Sequence, residues 1–214
     1  MATMKVAGAA WLVAALMGGC ASAPAPVVAP VAAAPVAPAT TATPTPPARP
    51  ADAYALVNPG FEATAITSLG DPEGWYSFQH AGAKSYRFAV DTDAPHSGQR
   101  SLRIENVGAE PYGAIAQIIE AKPYVGKVAR LTGWLRTRDA ADGGAGLTLL
   151  VLTGSAVIDQ NFMYDQAVRG TTGWQRFTIS VPVKVGADRL EVGAMLRGKG
   201  TLWLDDVELA FVAP

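Results

Sequence analysis

The sequence predicts an all-β fold, an antiparallel β-sandwich of the jelly-roll type, after a proline-rich segment. Short runs rich in β-branched and aromatic residues recur over residues 53–214, with apolar and polar residues alternating inside them. Glycines and polar residues separate the runs, and no long stretch has the periodicity of an amphipathic helix. About 160 residues are enough for one domain with its own core.

Three of these runs, at 131–136, 176–181 and 190–197, alternate most clearly and predict strands with one apolar face. Their apolar positions are Leu131, Gly133, Leu135, Phe177, Ile179, Val181, Leu190, Val192, Ala194 and Leu196. Glycine-rich turns are expected between strands at Gly143-Gly144, Gly154-Ser155 and Gly198-Lys199-Gly200.

The N-terminal residues 1–19 have the three parts of a secretory signal peptide. Lys5 supplies the positive charge, and the apolar run after it spans about a dozen residues, too few for the roughly 20 of a transmembrane helix. Residues 16–20 read Leu-Met-Gly-Gly-Cys and resemble the lipobox of bacterial lipoproteins. This resemblance implies cleavage before Cys20, the only cysteine of the chain, and lipidation of that residue.

The lipobox resemblance also implies a subcellular location. Lipoproteins of this kind carry three acyl chains on the cysteine, and each buried methylene contributes about 0.8 kcal/mol to membrane binding. Because Ala21 and not an aspartate follows Cys20, the resemblance implies an outer-membrane anchor, on the periplasmic or the surface face. The alternative is an ordinary secretory peptide that is cut near Ala21-Ser22-Ala23.

Residues 20–52 form a proline- and alanine-rich tether that holds nine of the 16 prolines. This composition predicts extended polyproline-II conformations without a packed core, with a reach of about 90 Å for about 30 residues. The tether is either a semi-rigid stalk or a permissive linker. Loss of residues 1–19 removes Lys5 and no acid, which leaves 16 basic against 18 acidic side chains and gives no basis for nucleic-acid binding.

Three motifs follow one another along the chain: residues 58–62 (NPGFE), 96–104 (HSGQRSLRI) and 202–209 (LWLDDVEL). Together they resemble the galactose-binding-like jelly rolls, which include many carbohydrate-binding modules. The segments at 124–127, 131–137 and 170–176 are also similar to the module appended to some bacterial regulators. The resemblance covers nearly all of 55–210 and is specific for the fold, which hosts many functions.

The resemblance further implies a structural Ca²⁺ ion. Its ligands would be the carboxylates of Glu62 and Asp205 and backbone carbonyls near the Ser97-Gly98 turn, where the first and last strands lie side by side. Calcium takes six to eight oxygen ligands, so this donor set is chemically suitable. The ion would hold the termini together without catalysis. Alternatively, Glu62 caps a turn and Asp205 ends a strand in water.

Saccharide recognition requires aromatic rings for stacking and polar groups for the hydroxyls. The candidate ligand-binding residues are Trp75, Tyr76, Gln117, Trp134, Arg136 and Tyr164. Trp134 and Arg136 alternate with buried leucines, and Gln117 is expected on a neighbouring strand. The alternative for each aromatic residue is burial in the core, as expected for Trp174 and Trp203.

Catalytic motifs are sparse. The chain has two histidines and no nucleophile elbow, zinc-binding HExxH or phosphate-binding glycine loop, so we do not expect an enzyme. The sequence predicts a non-catalytic envelope lipoprotein whose jelly-roll module binds a carbohydrate or cell-wall saccharide. The alternative is a structural lipoprotein that holds a protein partner at the envelope without binding glycan.

Overall fold

A computed structural model describes residues 52–214, which form ten strands and two short 3-10 turns. The strands are β1 (Ala53–Tyr54), β2 (Tyr76–Gln79), β3 (Tyr86–Asp91), β4 (Ser101–Asn106), β5 (Tyr112–Glu120), β6 (Val128–Thr153), β7 (Ala156–Asn161), β8 (Val168–Pro182), β9 (Arg189–Arg197) and β10 (Thr201–Val212). No helix within this range is long and apolar enough to cross a membrane. The predicted signal sequence and Cys20 lie outside the described residues, as does nearly all of the tether.

The strands form two antiparallel layers that share the long strand β6. Sheet A runs in the order β8, first half of β6, β10, β4, β3, and β1 pairs with the far end of β10. Sheet B runs in the order β2, β5, β9, second half of β6, β7. This arrangement confirms the predicted antiparallel β-sandwich.

The crossing of β6 between the sheets corrects one expectation. Residues 128–138 pair with β10, and residues 144–152 pair with β9. The glycine pair Gly143-Gly144 therefore lies in a bend inside one strand, and the hairpin expected there does not form. Asp139 and Gly144 have positive φ angles of 52° and 65°, which mark the bend. The turns at Gly154 and Gly198 do separate strands, as predicted.

The core lies between the two sheets and follows the predicted alternation. The apolar positions of β9 and the leucines at 131 and 135 of β6 are fully buried. Phe177, Ile179 and Val181 of β8 also pack against the core. Polar residues of the same strands point to the two outer faces, because successive side chains of a strand alternate. The sandwich therefore has two outer faces, one on each sheet.

Candidate functional site

The structure brings Glu62, Ser97 and Asp205 together at one end of sheet A. The Glu62 Oε1 atom accepts hydrogen bonds from the backbone N–H groups of Gln99 and Arg100, at 2.9 and 3.0 Å. The Asp205 Oδ2 atom accepts from the backbone N–H groups of His96 and Ser97, at 2.9 and 3.2 Å. We call Glu62, Ser97, Asp205 and Asp206 the carboxylate cluster. It links the N-terminal segment, the 92–100 loop and the last strand.

The carboxylate of Asp205 is fully buried. Burial raises the pKa of Asp205 to about 6; the Ser97 N–H opposes this rise, and the nearby charge of Asp206 adds to it. Asp206 in turn accepts from the Ser97 hydroxyl at 2.9 Å and lies 2.6 Å from Nδ1 of His96. Burial therefore disfavours the charged form of Asp205 within the cluster.

Gly98 makes room for one of these carboxylates, because a Cβ atom there would overlap the Glu62 carboxylate. A Cβ atom at Gly60 would make only ordinary contact, 3.5 Å from Asp206 Oδ1 and 3.8 Å from Asp205 Oδ1. The carboxylates of Glu62 and Asp205 are oxygen donors of the kind that Ca²⁺ takes. Within residues 52–214, no group of three or more His, Cys, Asp or Glu side chains is arranged to hold a metal ion. The sequence-based prediction takes the further ligands from backbone carbonyls near Ser97.

Two predicted ligand-binding residues are interior residues instead. Trp75 is 2% exposed, packs on Phe61 at a centroid distance of 5.1 Å and donates its indole N–H to the Asn58 carbonyl. Gln117 is 3% exposed, and its amide both accepts from the Val57 N–H at 3.1 Å and donates to the Val57 carbonyl at 2.6 Å. With their recognition groups enclosed, both are removed from the candidate ligand-binding residues.

Gln117 also lies in a different sheet from Trp134. Its strand β5 pairs with β2 and β9 in sheet B, whereas Trp134 is in the first half of β6 in sheet A. The expectation that these residues share neighbouring strands was therefore wrong. β6 changes sheets beyond Trp134, and sequence alternation gives no information about which sheet a strand joins.

Trp134 and Arg136 lie on the outer face of sheet A, as the alternation predicts, but the 92–100 loop folds onto them. The Trp134 ring stacks on the His96 ring at 3.7 Å with an interplanar angle of 18°. The Arg136 guanidinium lies 4.2 Å from the centroid of the Trp203 ring and donates to the Asp93 carbonyl at 2.9 Å. These groups are occupied by contacts within the protein.

Trp203 and Trp174 share this outer face. Trp203 is only 4% exposed. Arg136 covers it on the outer face of sheet A, and it is not part of the core between the sheets. Its indole N–H donates to Asp91 at 3.0 Å, and that of Trp174 donates to the Ala94 carbonyl at 3.0 Å. The tryptophan-rich face of sheet A is therefore a second packed layer, closed by a loop.

Tyr76 and Tyr164 lie on the outer face of sheet B. Tyr76 pairs directly with Ala116, and Phe78, two residues further along β2, stacks on it at 5.6 Å. Tyr164 follows β7 in the second 3-10 turn and is 59% exposed. Directly paired residues of an antiparallel sheet point to the same side, so the face can be traced across the strands.

The residues between these aromatic side chains are small. Ala114 and Ala116 of β5 and Gly193 of β9 lie next to Tyr76 and Phe78 in the ladder, and Gly146 of β6 lies beyond Met195. We call this surface the aromatic face. Its members are Tyr76, Phe78, Tyr112, Ala114, Ala116, Gly146, Phe162, Tyr164, Glu191, Gly193, Met195 and Arg197.

The charged groups of the aromatic face are Glu191 and Arg197. Burial raises the pKa of the Tyr76 hydroxyl, and its hydrogen bond to the Glu191 carboxylate raises it further. The Arg197 guanidinium lies 4.7 Å from the centroid of the Tyr164 ring. The face therefore combines rings, a carboxylate and a guanidinium, which is the chemistry of a site for a polar ligand with apolar patches.

A cleft of about 490 Å³ lies between the two edge strands β2 and β3, with Leu69, Lys84 and Phe88 among its lining residues. Its buried acid, Asp71, already accepts from the backbone and the hydroxyl of Ser77. The remaining amide, Gln79, is bonded within its own loop. The cleft offers few free polar groups to a ligand.

No family model matches the chain. An uncharacterised HTH-type transcriptional regulator of Bacillus subtilis, YbfP, is 23% identical over 140 residues, which cover 63% of this chain and 46% of the regulator. The chain therefore spans less than half of that relative.

Solved structures with a similar fold include the xylan-binding domain of a family 22 carbohydrate-binding module, with a TM-score of 0.53 at 14% identity over 78% of this chain and 99% of that domain. A Stig cyclase of Fischerella sp. TAU has a TM-score of 0.53 at 15% identity over 76% of this chain and 98% of the cyclase. An arabinose-bound α-L-arabinofuranosidase has a TM-score of 0.55 at 19% identity over 75% of this chain and 26% of the enzyme. The domain shares the all-β jelly-roll fold of these structures. At these identities the likeness shows the fold alone.

Three residues of the aromatic face that were not among the sequence-based candidates are Phe78, Glu191 and Arg197. Phe78 follows Tyr76 by two residues, so the period of a strand could have placed both rings on one side. Glu191 and Arg197 are the polar positions of a strand whose apolar positions were recognised. Nothing in the sequence showed that this strand lies beside β5, and the pairing was needed to find the site.

Proposed function

We propose that the domain is a non-catalytic module that binds a saccharide across the aromatic face of sheet B. The observation that supports this most directly is that Tyr76 and Tyr164, from strands and turns far apart in the sequence, lie on one outer face with Glu191 and Arg197. Rings can stack on sugar faces, and the charged groups can bind hydroxyls. The fold, which is shared with a xylan-binding module, is compatible with this function.

Glycan-array binding with matched variants tests this proposal. The protein to use is the soluble form, residues 20–214 with Cys20→Ser. We expect Tyr76→Ala and Tyr164→Ala to weaken binding at least about tenfold, which corresponds to about 1.4 kcal/mol. Trp174→Ala, which removes a ring from the opposite outer face, should leave affinity unchanged. Equal loss in all three variants, or loss in Trp174→Ala alone, would reject the aromatic face as the site.

A clean negative result across glycans would favour the alternative function, the holding of a protein partner at the cell envelope. Incubation of each bound glycan with the protein, followed by product analysis, tests the absence of catalysis. We expect no cleavage, and release of shorter saccharides would show an enzyme.

We further propose that the module is lipid-anchored at the outer membrane through Cys20. The support is the lipobox-like sequence that precedes this residue. Cells that express the full chain and are labelled with palmitate should yield a labelled protein in the outer-membrane fraction. Cys20→Ser should abolish the label. An unlabelled, secreted wild-type protein would instead support cleavage near residues 21–23.

A structural Ca²⁺ ion at the carboxylate cluster is the remaining part of the proposal. Glu62 and Asp205 would hold the ion together with carbonyls near Ser97, and the ion would offset the buried acidic charge. Chelation should lower the melting temperature of the wild-type protein. Glu62→Gln should remove that dependence on chelator, whereas Glu120→Gln, on an exposed acid of sheet B, should retain it. An identical wild-type melting curve with calcium and with chelator would exclude the ion.

A further inference from the structure

One end of the aromatic face carries positive charge that the described part of the protein does not neutralise. Arg197 ends β9 on this face, and Arg169 lies near the start of β8. Neither side chain forms an ion pair with any residue of 52–214. Backbone carbonyls, which carry no net charge, are their hydrogen-bond partners.

These carbonyls hold the two guanidinium groups in place. Arg197 donates through Nε to the Gly143 carbonyl at 2.7 Å and through Nη1 to the Phe162 carbonyl at 3.2 Å. Arg169 donates through Nε to the Asp142 carbonyl at 2.7 Å and through Nη1 to the Ala167 carbonyl at 3.2 Å. The Nη2 atom of Arg197 is buried without a hydrogen-bond partner.

The glycines of the β6 bend are needed for this arrangement. A Cβ atom at Gly143 would lie 2.8 Å from Cβ of Arg197, and one at Gly144 would lie 3.2 Å from Cγ of Arg169. The glycine-rich bend therefore lets both arginines approach the same end of the face.

The two charges also interact. Burial lowers the pKa of Arg197, and the nearby charge of Arg169 lowers it further. Two guanidinium groups without a carboxylate partner are costly to hold together, and an anion between them would offset that cost. The planar guanidinium is suited to bidentate binding of carboxylate and sulfate groups. The exposed ring of Tyr164 lies against Arg197 at this same end.

We propose that Arg197 and Arg169, beside Tyr164, form a subsite for an anionic group on the saccharide, so that the preferred ligand is an acidic glycan. This inference rests on the proposed function, because Arg197 and Tyr164 are members of the aromatic face and Arg169 lies beside its end. The anionic group is a carboxylate, as in a uronic acid, or a sulfate ester. The neutral part of the glycan lies along Tyr76 and Phe78.

Matched ligand pairs test the charge preference. We would measure the affinity of the soluble form for hexagalacturonate and its methyl ester, and for xylohexaose with and without a glucuronic acid branch. A sulfated oligosaccharide with its desulfated form separates sulfate from carboxylate. The acidic member of at least one pair should bind at least about tenfold more tightly, and 1 M NaCl should reduce that ratio.

Variants locate the effect. Arg169→Gln, at an exposed side chain, should reduce the ratio of acidic to neutral affinity toward one. Arg197→Lys should reduce the ratio as well, because lysine lacks the planar fork. Arg176→Gln, which removes an exposed arginine from the other face, should leave the ratio unchanged. Equal binding of the acidic and neutral members of every pair overturns the anionic subsite and leaves the proposed function standing. If no saccharide binds at all, the proposed function fails and this inference fails with it.

Discussion

Replacement of Gln117 by leucine should destabilise the domain without a direct effect on ligand binding. The amide makes two hydrogen bonds, of 3.1 and 2.6 Å, to the backbone of Val57, 60 residues away in the sequence. A hydrogen bond of this kind contributes about 1 kcal/mol, and leaving a polar group without its partner adds to the loss. Because leucine has a similar volume, the cost of a cavity is small. We expect the free energy of unfolding to fall by about 2–3 kcal/mol.

Urea unfolding followed by tryptophan fluorescence measures the fall in the free energy of unfolding. In a thermal melt, a loss of this size should lower the melting temperature by about 4–12 °C for a domain of this length. The control is Gln175→Leu, at an exposed glutamine of β8, which should change stability little. A Gln117→Leu protein of wild-type stability would refute the structural role of the amide. If saccharide affinity fell in such a stable variant, the ligand contact predicted from the sequence would be supported instead.

Two further predictions concern stability. Gly193→Ala should lower the free energy of chemical unfolding by about 3 kcal/mol, because the added Cβ atom would overlap the Ile115 carbonyl oxygen. The control is Gly173→Ala, whose Cβ atom would have no neighbour within 4 Å. Equal stabilities of the two variants would contradict the close strand packing. Burial acts to raise the pKa of Asp91, but hydrogen bonds, including one from Trp203, lower it overall. The contribution of Asp91 to stability should therefore be complete above the ordinary aspartate pKa of about 3.9 and decline as the pH falls through the lower pKa of the folded state. In acid-unfolding curves, the Asp91→Asn variant should lack this decline.

The positions of the strands could be predicted because the alternation of apolar and polar residues is a local signal. Alternation at Leu131 to Arg136 and at Leu190 to Arg197 placed the inner and outer positions correctly. The prediction that failed inside a strand was the hairpin at Gly143-Gly144, since a glycine pair is compatible with both a turn and a bend. Strand pairing decides between them, and pairing depends on contacts between residues far apart in the sequence.

The site was less predictable for the same reason. Trp134 lies on an outer face, as its position in β6 predicts, yet His96 of the 92–100 loop covers it. Trp75 and Gln117 have the chemistry of ligand-binding residues, but their hydrogen bonds are made to the N-terminal segment. The sequence did identify Tyr76 and Tyr164 individually. That they share a face became visible only from the order of strands in sheet B.

An NMR titration with a bound oligosaccharide tests the central claim most directly, because it locates the ligand without any substitution. The account predicts chemical-shift changes concentrated at the backbone amides of Tyr76, Phe78, Tyr164 and Glu191, on the outer face of sheet B. Changes concentrated instead at the indole N–H signals of Trp174 and Trp203 would place the ligand on sheet A and contradict it.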